Sequence, residues 1–422
     1  MNLISKLFSI DSSPQHKRNC AIEGVRGLAI LLVFLCHYAT IVVPPLRLSA
    51  PWQHFAVALS EAGRTGVALF FVLSGYLIFR TVTRPGFGLL SFWGRRAQRI
   101  YPAFLAVFSI YLALWLLHKG ADRTGEQLSA RIPHDPTAAF FYLVENLLFI
   151  PGIFPVQPFM NVAWSLSYEW FFYLAIPLGA AALVRISRRS LRIVLLLTFC
   201  TVYVLVSYSS PSFFPPLTGL SAVVAAHNGL VLFLAGVIVY EIAAIRPPDI
   251  IPLQRMECVA GVAIAAGLSI PFYLGFSGFR SSGLATLHRT EAVITGSIFI
   301  AYGLLLWFSL LESGSIGRAM SFKPLRCLGN ISYSFYLIHG LPLHLVAVFA
   351  ARGAHLLPSV PGAKVALALL LLPLSLLFTT CLSLALFVAV ERPVSLRPSV
   401  KISPKQRTGP APQTLAKDTL SA

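Results

Sequence analysis

Long apolar segments dominate this chain and restrict the folds that it can adopt. A helix that crosses the hydrocarbon core of a bilayer needs about 20 mostly apolar residues. The apolar residues here run continuously and do not alternate with polar ones, which indicates helices and disfavours barrel strands. We therefore predict an all-α integral membrane protein with about ten transmembrane helices, at residues 24–43, 66–83, 100–118, 163–184, 191–207, 227–244, 257–275, 290–310, 328–350 and 365–388.

The composition agrees with a membrane protein and argues against a soluble one. Of the 422 residues, 56% are hydrophobic and only 11% are charged, and the mean hydropathy is +0.76. The formal charge of +18 would also suit nucleic acid, but the basic residues form short clusters between apolar segments and not one polar face. We predict no nucleic-acid partner. Anionic membrane lipids, or an anionic substrate at the membrane surface, explain the clusters better.

The basic clusters predict an orientation. When ten spans are counted, the clusters fall on one side, at residues 17–18, 80–99, 185–192, 318–326 and 392–407. By the positive-inside rule this side is cytoplasmic, and both termini lie there. The longest connection, 119–162, is then on the outer side. Within it, residues 139–153 are too few to cross comfortably and are predicted to be interfacial or re-entrant.

One transmembrane domain is predicted between two flexible ends. Residues 1–20 and 394–422 are polar and rich in Pro, Ser and Lys, which predicts flexible cytoplasmic segments. Residues 21–393 hold all ten predicted spans and show no internal repeat of fixed period. The six cysteines have no Cys-x-x-Cys spacing and fall mostly in or beside apolar segments, so we predict packed thiols and no metal site.

A histidine lies deep inside the first predicted span. The segment IEGVRGLAILLVFLCHY has Arg26 near its start and His37 eleven positions later. Eleven residues make about three helical turns, so both side chains share one face, about 16 Å apart along the axis. With Arg26 at the cytoplasmic boundary, His37 lies near the bilayer centre, where an ionisable side chain normally faces the bundle interior or a wet cavity. His37 is a candidate base, and the simpler alternative is a histidine that hydrogen-bonds across two helices.

Two further ionisable residues are candidates for the same cavity. His339, in LGNISYSFYLIHG, lies about eleven residues inside a span that starts on the cytoplasmic side. Glu169, in NVAWSLSYEWFFYLAIP, is a carboxylate between aromatic residues just inside the outer boundary of the fourth span. Two histidines at similar depth can line one cavity. Glu169 either belongs to that site or is an interfacial residue in contact with water.

Three arginines begin the third span. Arg95, Arg96 and Arg99 lie in FWGRRAQRIYPAF, and Arg96 and Arg99 share a helix face at a spacing of three. Guanidinium groups bind phosphates bidentately, so the cluster suits a multiply phosphorylated ligand. The alternative is a cluster that only orients the helix and binds lipid phosphates, and the residues by themselves favour it.

Six segments, in order, resemble those of the acyltransferase-3 family, multispanning membrane acyltransferases that modify bacterial surface glycans and related acceptors. Arg26 and His37 match the family's pattern of an arginine, ten residues and a histidine. Arg96 and Arg99 match its Arg-x-x-Arg pattern, and Glu169 matches the acidic residue of its fourth span. The matching segments run from about residue 20 to 393 and read IEGVRGLAILLVFLCHY, GVALFFVLSGYLIF, FWGRRAQRIYPAF, WSLSYEWFFY, ISYSFYLIHG and VERP.

The resemblance implies a multi-pass O-acyltransferase of the bacterial cytoplasmic (inner) membrane. Its donor would be cytoplasmic acyl-CoA, with acetyl the expected group, and its acceptor a hydroxyl of a surface glycan or of an exopolysaccharide or lipopolysaccharide precursor. Family members often carry a further C-terminal esterase-like domain. This chain stops soon after Pro393, so we expect the acceptor to react at the membrane domain itself.

In this scheme the donor would bind Arg26, Arg95, Arg96 and Arg99. His37 would act as a general base or as a transient acyl carrier, with Glu169 and His339 in support. A proton-coupled transporter, in which His37, Glu169 and His339 relay protons or bind a solute, is the alternative class, and a polysaccharide export component is a third.

Overall fold

The computed structural model describes residues 19–117, 132–151, 154, 156–209, 229–245, 253–277, 284–311, 314–356 and 362–395. Its helices are α1 Cys20–His37, α2 Ala50–Val82, α3 Leu89–Leu117, α4 Pro136–Leu147, α5 Ala163–Val184, α6 Arg189–Ser209, α7 Gly229–Ala243, α8 Leu253–Phe276, α9 Leu284–Leu310, α10 Ser315–Met320, α11 Lys323–Asn330, α12 Ser332–Ile338, α13 Gly340–Leu356 and α14 Ala363–Leu386. Two π-helices extend α1 and α14, at Tyr38–Val42 and Phe387–Ser395. The two ends predicted to be flexible, 1–20 and 394–422, lie outside the described residues except for residues 19–20 and 394–395.

Most of these helices are long and apolar enough to cross a bilayer. Among the described residues there are eight such helices, or nine if α12 and α13 are counted as one span bent by 49°. This confirms the all-α integral membrane class. The predicted span 328–350 is therefore not one straight helix. The predicted span 227–244 corresponds to α7, an apolar helix of 15 described residues.

The segment predicted to be interfacial or re-entrant, 139–153, contributes to a short helix. The helix α4 has 12 residues, about 18 Å of rise, which is less than the thickness of the hydrocarbon core. It begins where the Asp135 carboxylate accepts a hydrogen bond from the backbone N–H of Ala138 at 2.7 Å. It ends just before Phe149, a residue with a positive φ of 57°.

The helix α2 is the centre of the bundle, because it packs against α1, α5, α7 and α8. Its crossing with α7 brings two backbones into direct contact. A Cβ added at Gly75 would lie 1.9 Å from the carbonyl oxygen of Phe233, and one added at Gly236 would lie 2.0 Å from that of Val72. Apolar side chains gain little by leaving lipid for protein, so helices in membranes associate through such close contacts between small residues. The glycines thus fix α2 in the position from which it lines both cavities described below.

Candidate active site

The first cavity has a volume of about 110 Å³ and lies between α1, α2, α3, α5 and α12. We call it the arginine cavity, because Arg26, Arg96 and Arg99 line it. Glu169 lines it as well. The fold therefore brings together four residues that come from three separate segments of the sequence. With three guanidinium groups and one carboxylate, the lining attracts anionic ligands.

Aromatic rings and one carboxylate surround Arg96. Its guanidinium carbon lies 5.4 Å from the ring centroid of Phe92 and 5.5 Å from that of Tyr173, within the range of cation–π attraction. The Tyr173 hydroxyl donates a hydrogen bond to Glu169, which also accepts one from Ser74 Oγ at 3.3 Å. The buried Nε of Arg96 has no hydrogen-bond partner among the described residues. A buried donor left unpaired is costly, so this atom is suited to bind a ligand in the cavity.

Arg95 does not share this environment. It follows Gly94 on the exposed face of α3, and its Nη1 donates a hydrogen bond to Ser91 Oγ at 2.5 Å. Successive residues of a helix point about 100° apart, so Arg95 and Arg96 leave α3 in different directions. Arg95, which the sequence grouped with Arg96 and Arg99, is outside the cavity lining.

Glu169 lies on the arginine side and not beside the histidines. Its hydrogen-bond partners in the described part of the chain are Ser74 and Tyr173, from α2 and from its own helix. The sequence analysis made Glu169 a candidate for the same cavity as the two histidines. The structure instead joins it to the residues that surround Arg96.

A buried carboxylate that the sequence interpretation did not single out lies near the same arginines. Glu391, in the π-helix Phe387–Ser395, accepts hydrogen bonds from the Ser334 backbone N–H at 3.2 Å and from Ser334 Oγ at 2.5 Å. It therefore ties the end of the chain's last span to α12. Glu391 is part of VERP, one of the six segments that resemble the family, and this was the feature of the sequence that could have indicated it.

The second cavity has a volume of about 310 Å³ and lies between α1, α2, α5, α7, α9 and α12. We call it the histidine cavity, because His37 lines it. His37 is the last residue of α1, directly before the π-helix Tyr38–Val42. A π-helical turn interrupts the regular α-helical hydrogen bonds at this point, and such turns occur frequently at functional sites.

His339 packs directly against His37. The two ring centroids are 4.7 Å apart with an interplanar angle of 70°, an edge-to-face arrangement. His339 is fully buried at the break between α12 and α13. The two histidines are therefore in contact, but only His37 lines the cavity. Each of the two lies at a helix irregularity that its sequence did not reveal.

Hydrogen bonds to the backbone determine which nitrogen carries the hydrogen in the neutral form of each ring. The Nδ1–H of His37 donates to the Val33 carbonyl oxygen at 2.9 Å, and that of His339 donates to the Tyr336 carbonyl oxygen at 2.7 Å. In a neutral imidazole the other nitrogen, Nε2, then carries a lone pair. The Nε2 atom of His339 is buried and has no hydrogen-bond partner among the described residues.

One layer of side chains separates the two cavities. Val67, Phe71 and Tyr336 line both of them. The Tyr336 hydroxyl is held in this wall, because it hydrogen-bonds with Ser165 Oγ at 2.6 Å and donates to the Val162 carbonyl oxygen at 3.1 Å. The arrangement can therefore place an anionic ligand on one side of this wall and the imidazole of His37 on the other.

The sequence interpretation also missed an ion pair on the wall of the histidine cavity. Arg64 Nη2 lies 2.9 Å from Glu291 Oε1, and both residues line the cavity. Arg64 precedes the predicted span 66–83, and Glu291 lies just inside the predicted span 290–310. Charged residues at span boundaries are read as interfacial unless their partners are known, so the pairing could not be inferred from spacing.

Comparison with known proteins shows that the chain is similar to acyltransferases. A family model described as an acyltransferase domain matches residues 19–390. The O-acetyltransferase OatA of Staphylococcus aureus is 27% identical over 334 residues, which cover 75% of this chain and 49% of that protein. The peptidoglycan O-acetyltransferase OatA of Listeria monocytogenes is 26% identical over 337 residues, which cover 76% of this chain and 48% of that protein. The chain thus spans about half the length of these relatives. No solved protein structure matches it.

Proposed function

Because the chain belongs to the acyltransferase-3 family, we propose that it is an O-acetyltransferase of the bacterial cytoplasmic membrane, which moves an acetyl group from acetyl-CoA to a hydroxyl of a cell-surface glycan. The names of its relatives support acetyl as the group and a glycan as the acceptor, since one of them is a peptidoglycan O-acetyltransferase. The observation that carries the proposal is the thin wall shared by the arginine cavity and the histidine cavity.

The donor binds at the arginine cavity. Arg26, Arg96 and Arg99 hold phosphate groups of CoA, since guanidinium groups form bidentate, charge-assisted hydrogen bonds with phosphates. The unpaired Nε of Arg96 supplies one donor for this purpose. A volume of about 110 Å³ is far too small for a whole CoA molecule, so most of the nucleotide stays outside this cavity. Under the predicted orientation, the donor enters from the cytoplasm.

His37 removes the proton of the acceptor. Its Nδ1–H is held by the Val33 carbonyl, so Nε2 is the nitrogen that accepts the proton of the glycan hydroxyl. The thioester end of the donor extends past the wall of Val67, Phe71 and Tyr336 to reach His37. There the hydroxyl oxygen attacks the carbonyl carbon of the thioester, and the carbon–sulfur bond breaks. The imidazolium returns its proton to the departing sulfur, which leaves CoA as the free thiol and His37 neutral.

A second possible mechanism uses the same nitrogen atom, Nε2 of His37. His37 Nε2 attacks the thioester itself and carries the acetyl group until the glycan hydroxyl arrives. Incubation with acetyl-CoA and radiolabelled free CoA in the absence of acceptor distinguishes the two, because an acetyl group carried by His37 can return to free CoA. Label that appears in acetyl-CoA supports the carrier, and no exchange supports the base.

His339 and Glu169, the remaining candidate residues, position other side chains. His339 packs on the edge of the His37 ring and restricts its rotation, as a positioning residue. Glu169 holds Tyr173, whose ring lies against Arg96, and so positions a donor-binding arginine. Membrane lipids surround the exposed apolar side chains of the bundle.

Reconstitution tests the proposal. The full chain, in liposomes, is given radiolabelled acetyl-CoA and tetra-N-acetylchitotetraose, an uncharged oligosaccharide (hereafter chitotetraose), and the acetylated product is identified by mass spectrometry. We expect acetyl transfer that is absent from liposomes carrying His37→Gln. Propionyl-CoA and octanoyl-CoA in parallel reactions define the acyl length. Proton or solute movement across the liposome membrane without acyl transfer would reject the enzyme and support a transporter.

A further inference from the structure

An ion-pair cluster on the wall of the histidine cavity has no part in the mechanism so far. The Arg64 Nε donates to Glu61 Oε2 at 3.0 Å, and its Nη1 donates to Glu291 Oε2 at 3.2 Å. The side chain of Glu291 is only 4% exposed, and that of Glu61 13%. These three residues join α2 to α9. Charged side chains within a membrane bundle are costly unless they pair, and they commonly mark substrate pathways.

The cluster has unused hydrogen-bonding capacity toward the cavity. A guanidinium carries five N–H donors, of which the two carboxylates accept hydrogen bonds from two, on Nε and Nη1, while the buried Nη2 has no hydrogen-bond partner among the described residues. Arg64 and Glu291 line the cavity directly, together with Thr65 and Thr295. Polar groups that converge on one cavity in an otherwise apolar wall are the usual pattern of a small-molecule site.

The balance of charge in this cluster differs from that of the arginine cavity. Two carboxylates surround one guanidinium here, whereas three guanidinium groups accompany one carboxylate around the donor. A phosphate or another anion would be repelled by Glu61 and Glu291. Uncharged hydroxyl groups suit the cluster, because a carboxylate accepts hydrogen bonds from their O–H groups and a guanidinium N–H donates to their oxygens. The two cavities are therefore matched to two chemically different ligands.

An aromatic side chain completes the cavity. Trp164, the second residue of α5, lines it on the face formed by that helix. An indole presents a broad apolar surface that covers the C–H face of a sugar ring. The volume of about 310 Å³ is at the lower end of the range of ligand pockets, which suits one saccharide unit and not a long chain.

We propose that the histidine cavity is the acceptor subsite, in which Arg64 and Glu291 bind the hydroxyl groups of one uncharged saccharide unit against Trp164. This inference rests on the proposed function, because it identifies the chemical class of the acceptor. The cluster holds the unit in the cavity that His37 lines, so that one hydroxyl reaches Nε2. Arg64 and Glu291 contact the substrate through hydroxyl groups that do not react.

The test separates acceptor binding from donor binding. Glu291→Gln keeps the size of the side chain and removes its charge. In the liposome assay with chitotetraose, we expect the acceptor KM to rise at least about tenfold, the loss typical of a hydrogen bond to a charged group, while the KM for acetyl-CoA stays within about twofold. Trp164→Leu should raise the acceptor KM in the same way, and Trp164→Phe should restore part of the affinity.

A matched control is available elsewhere in the bundle. Glu241 is a buried carboxylate, 1% exposed, that pairs with Arg192 at 3.1 Å and lines neither cavity. Glu241→Gln makes the same chemical change and should leave the acceptor KM unaltered. An equal rise in this control, an unchanged acceptor KM in both the Glu291 and Trp164 variants, or a parallel rise in both KM values would overturn the subsite.

Calorimetric titration of the protein with chitotetraose makes the test independent of activity. Wild-type binding that weakens at least about tenfold in Glu291→Gln supports the subsite even if no acetyl group is transferred, and in that case only the proposed function fails. Wild-type protein that does not bind chitotetraose rejects the subsite, whatever its reaction with acetyl-CoA.

Discussion

The rings of His37 and His339 meet edge to face with centroids 4.7 Å apart, although the two residues lie in the first and the penultimate predicted spans. Each ring donates its Nδ1–H to a carbonyl oxygen of its own helix segment. In their neutral forms the two imidazoles therefore have the same tautomer, with the hydrogen on Nδ1. His37 lines the cavity, whereas His339 is fully buried behind it.

This difference predicts unequal effects of the same substitution. Glutamine keeps a hydrogen bond but does not accept a proton near neutral pH, so His37→Gln should lower turnover by at least about 10²-fold, the size of a general-base contribution. His339→Gln should lose less, because it acts by positioning the other ring. Initial rates of acetyl transfer measure both, and calorimetry with acetyl-CoA checks that donor binding survives.

The exposed His54 of α2 provides the control for this pair, since it lies outside both cavity linings. His54→Gln should transfer acetyl groups at the wild-type rate. Near-normal turnover in His37→Gln would contradict the mechanism and favour the alternative hypothesis of a transporter.

Substitutions of the arginines of α3 should have two different effects on the affinity for acetyl-CoA. Replacement of Arg96 and Arg99 by alanine removes two of the three guanidinium groups of the arginine cavity, so we expect affinity for acetyl-CoA to fall at least about tenfold. Lysine at both positions should restore only part of it, because an ammonium cannot bind phosphate bidentately. Equilibrium binding of radiolabelled acetyl-CoA gives the affinities.

Arg95 is the matched comparison for those variants, since it belongs to the same basic cluster but faces away from the cavity. Arg95→Ala should bind acetyl-CoA as the wild type does. If the double variant at Arg96 and Arg99 also bound normally, the whole cluster would serve only to orient the helix.

The contact between α2 and α7 predicts a severe steric effect. Gly75→Ala places a methyl group against the Phe233 carbonyl, so we expect destabilisation of at least about 1–3 kcal/mol, as for other overpacked interiors. Gly261→Ala, in α8, meets no atom within 4 Å and should be neutral or stabilise by up to about 1 kcal/mol. Thermal unfolding of both variants in detergent measures the difference. Equal unfolding temperatures would show that the two helices do not pack this closely.

The basic clusters predict the orientation of the chain. A membrane-impermeant maleimide should label His134→Cys in intact cells, because the 119–162 connection is predicted to be outside. Ser187→Cys lies in the basic connection between α5 and α6 and should be labelled only after permeabilisation. The parent protein, with its six native cysteines, gives the background. The reverse pattern would exchange the donor and acceptor sides.

Much of the molecule follows from local sequence. Apolar runs of bilayer length specify transmembrane helices wherever they occur, because an unpaired backbone group in hydrocarbon is too costly for any other spanning structure. The spacing of Arg96 and Arg99 places them on one face for the same local reason, a fixed rotation per residue. The ordered segments that carry Arg26, His37 and Glu169 were also sufficient to indicate the family.

Only the tertiary structure decided which faces meet. Helical rotation separates Arg95 from Arg96 but does not say which of them faces the bundle, because that depends on the neighbours of α3. Glu169 belongs to the arginine cavity and Arg64 pairs with Glu291 because α2 packs against both α5 and α9 in the assembled bundle. A sequence specifies the polar residues of each helix, whereas the division of those residues between two cavities is a property of the assembled bundle.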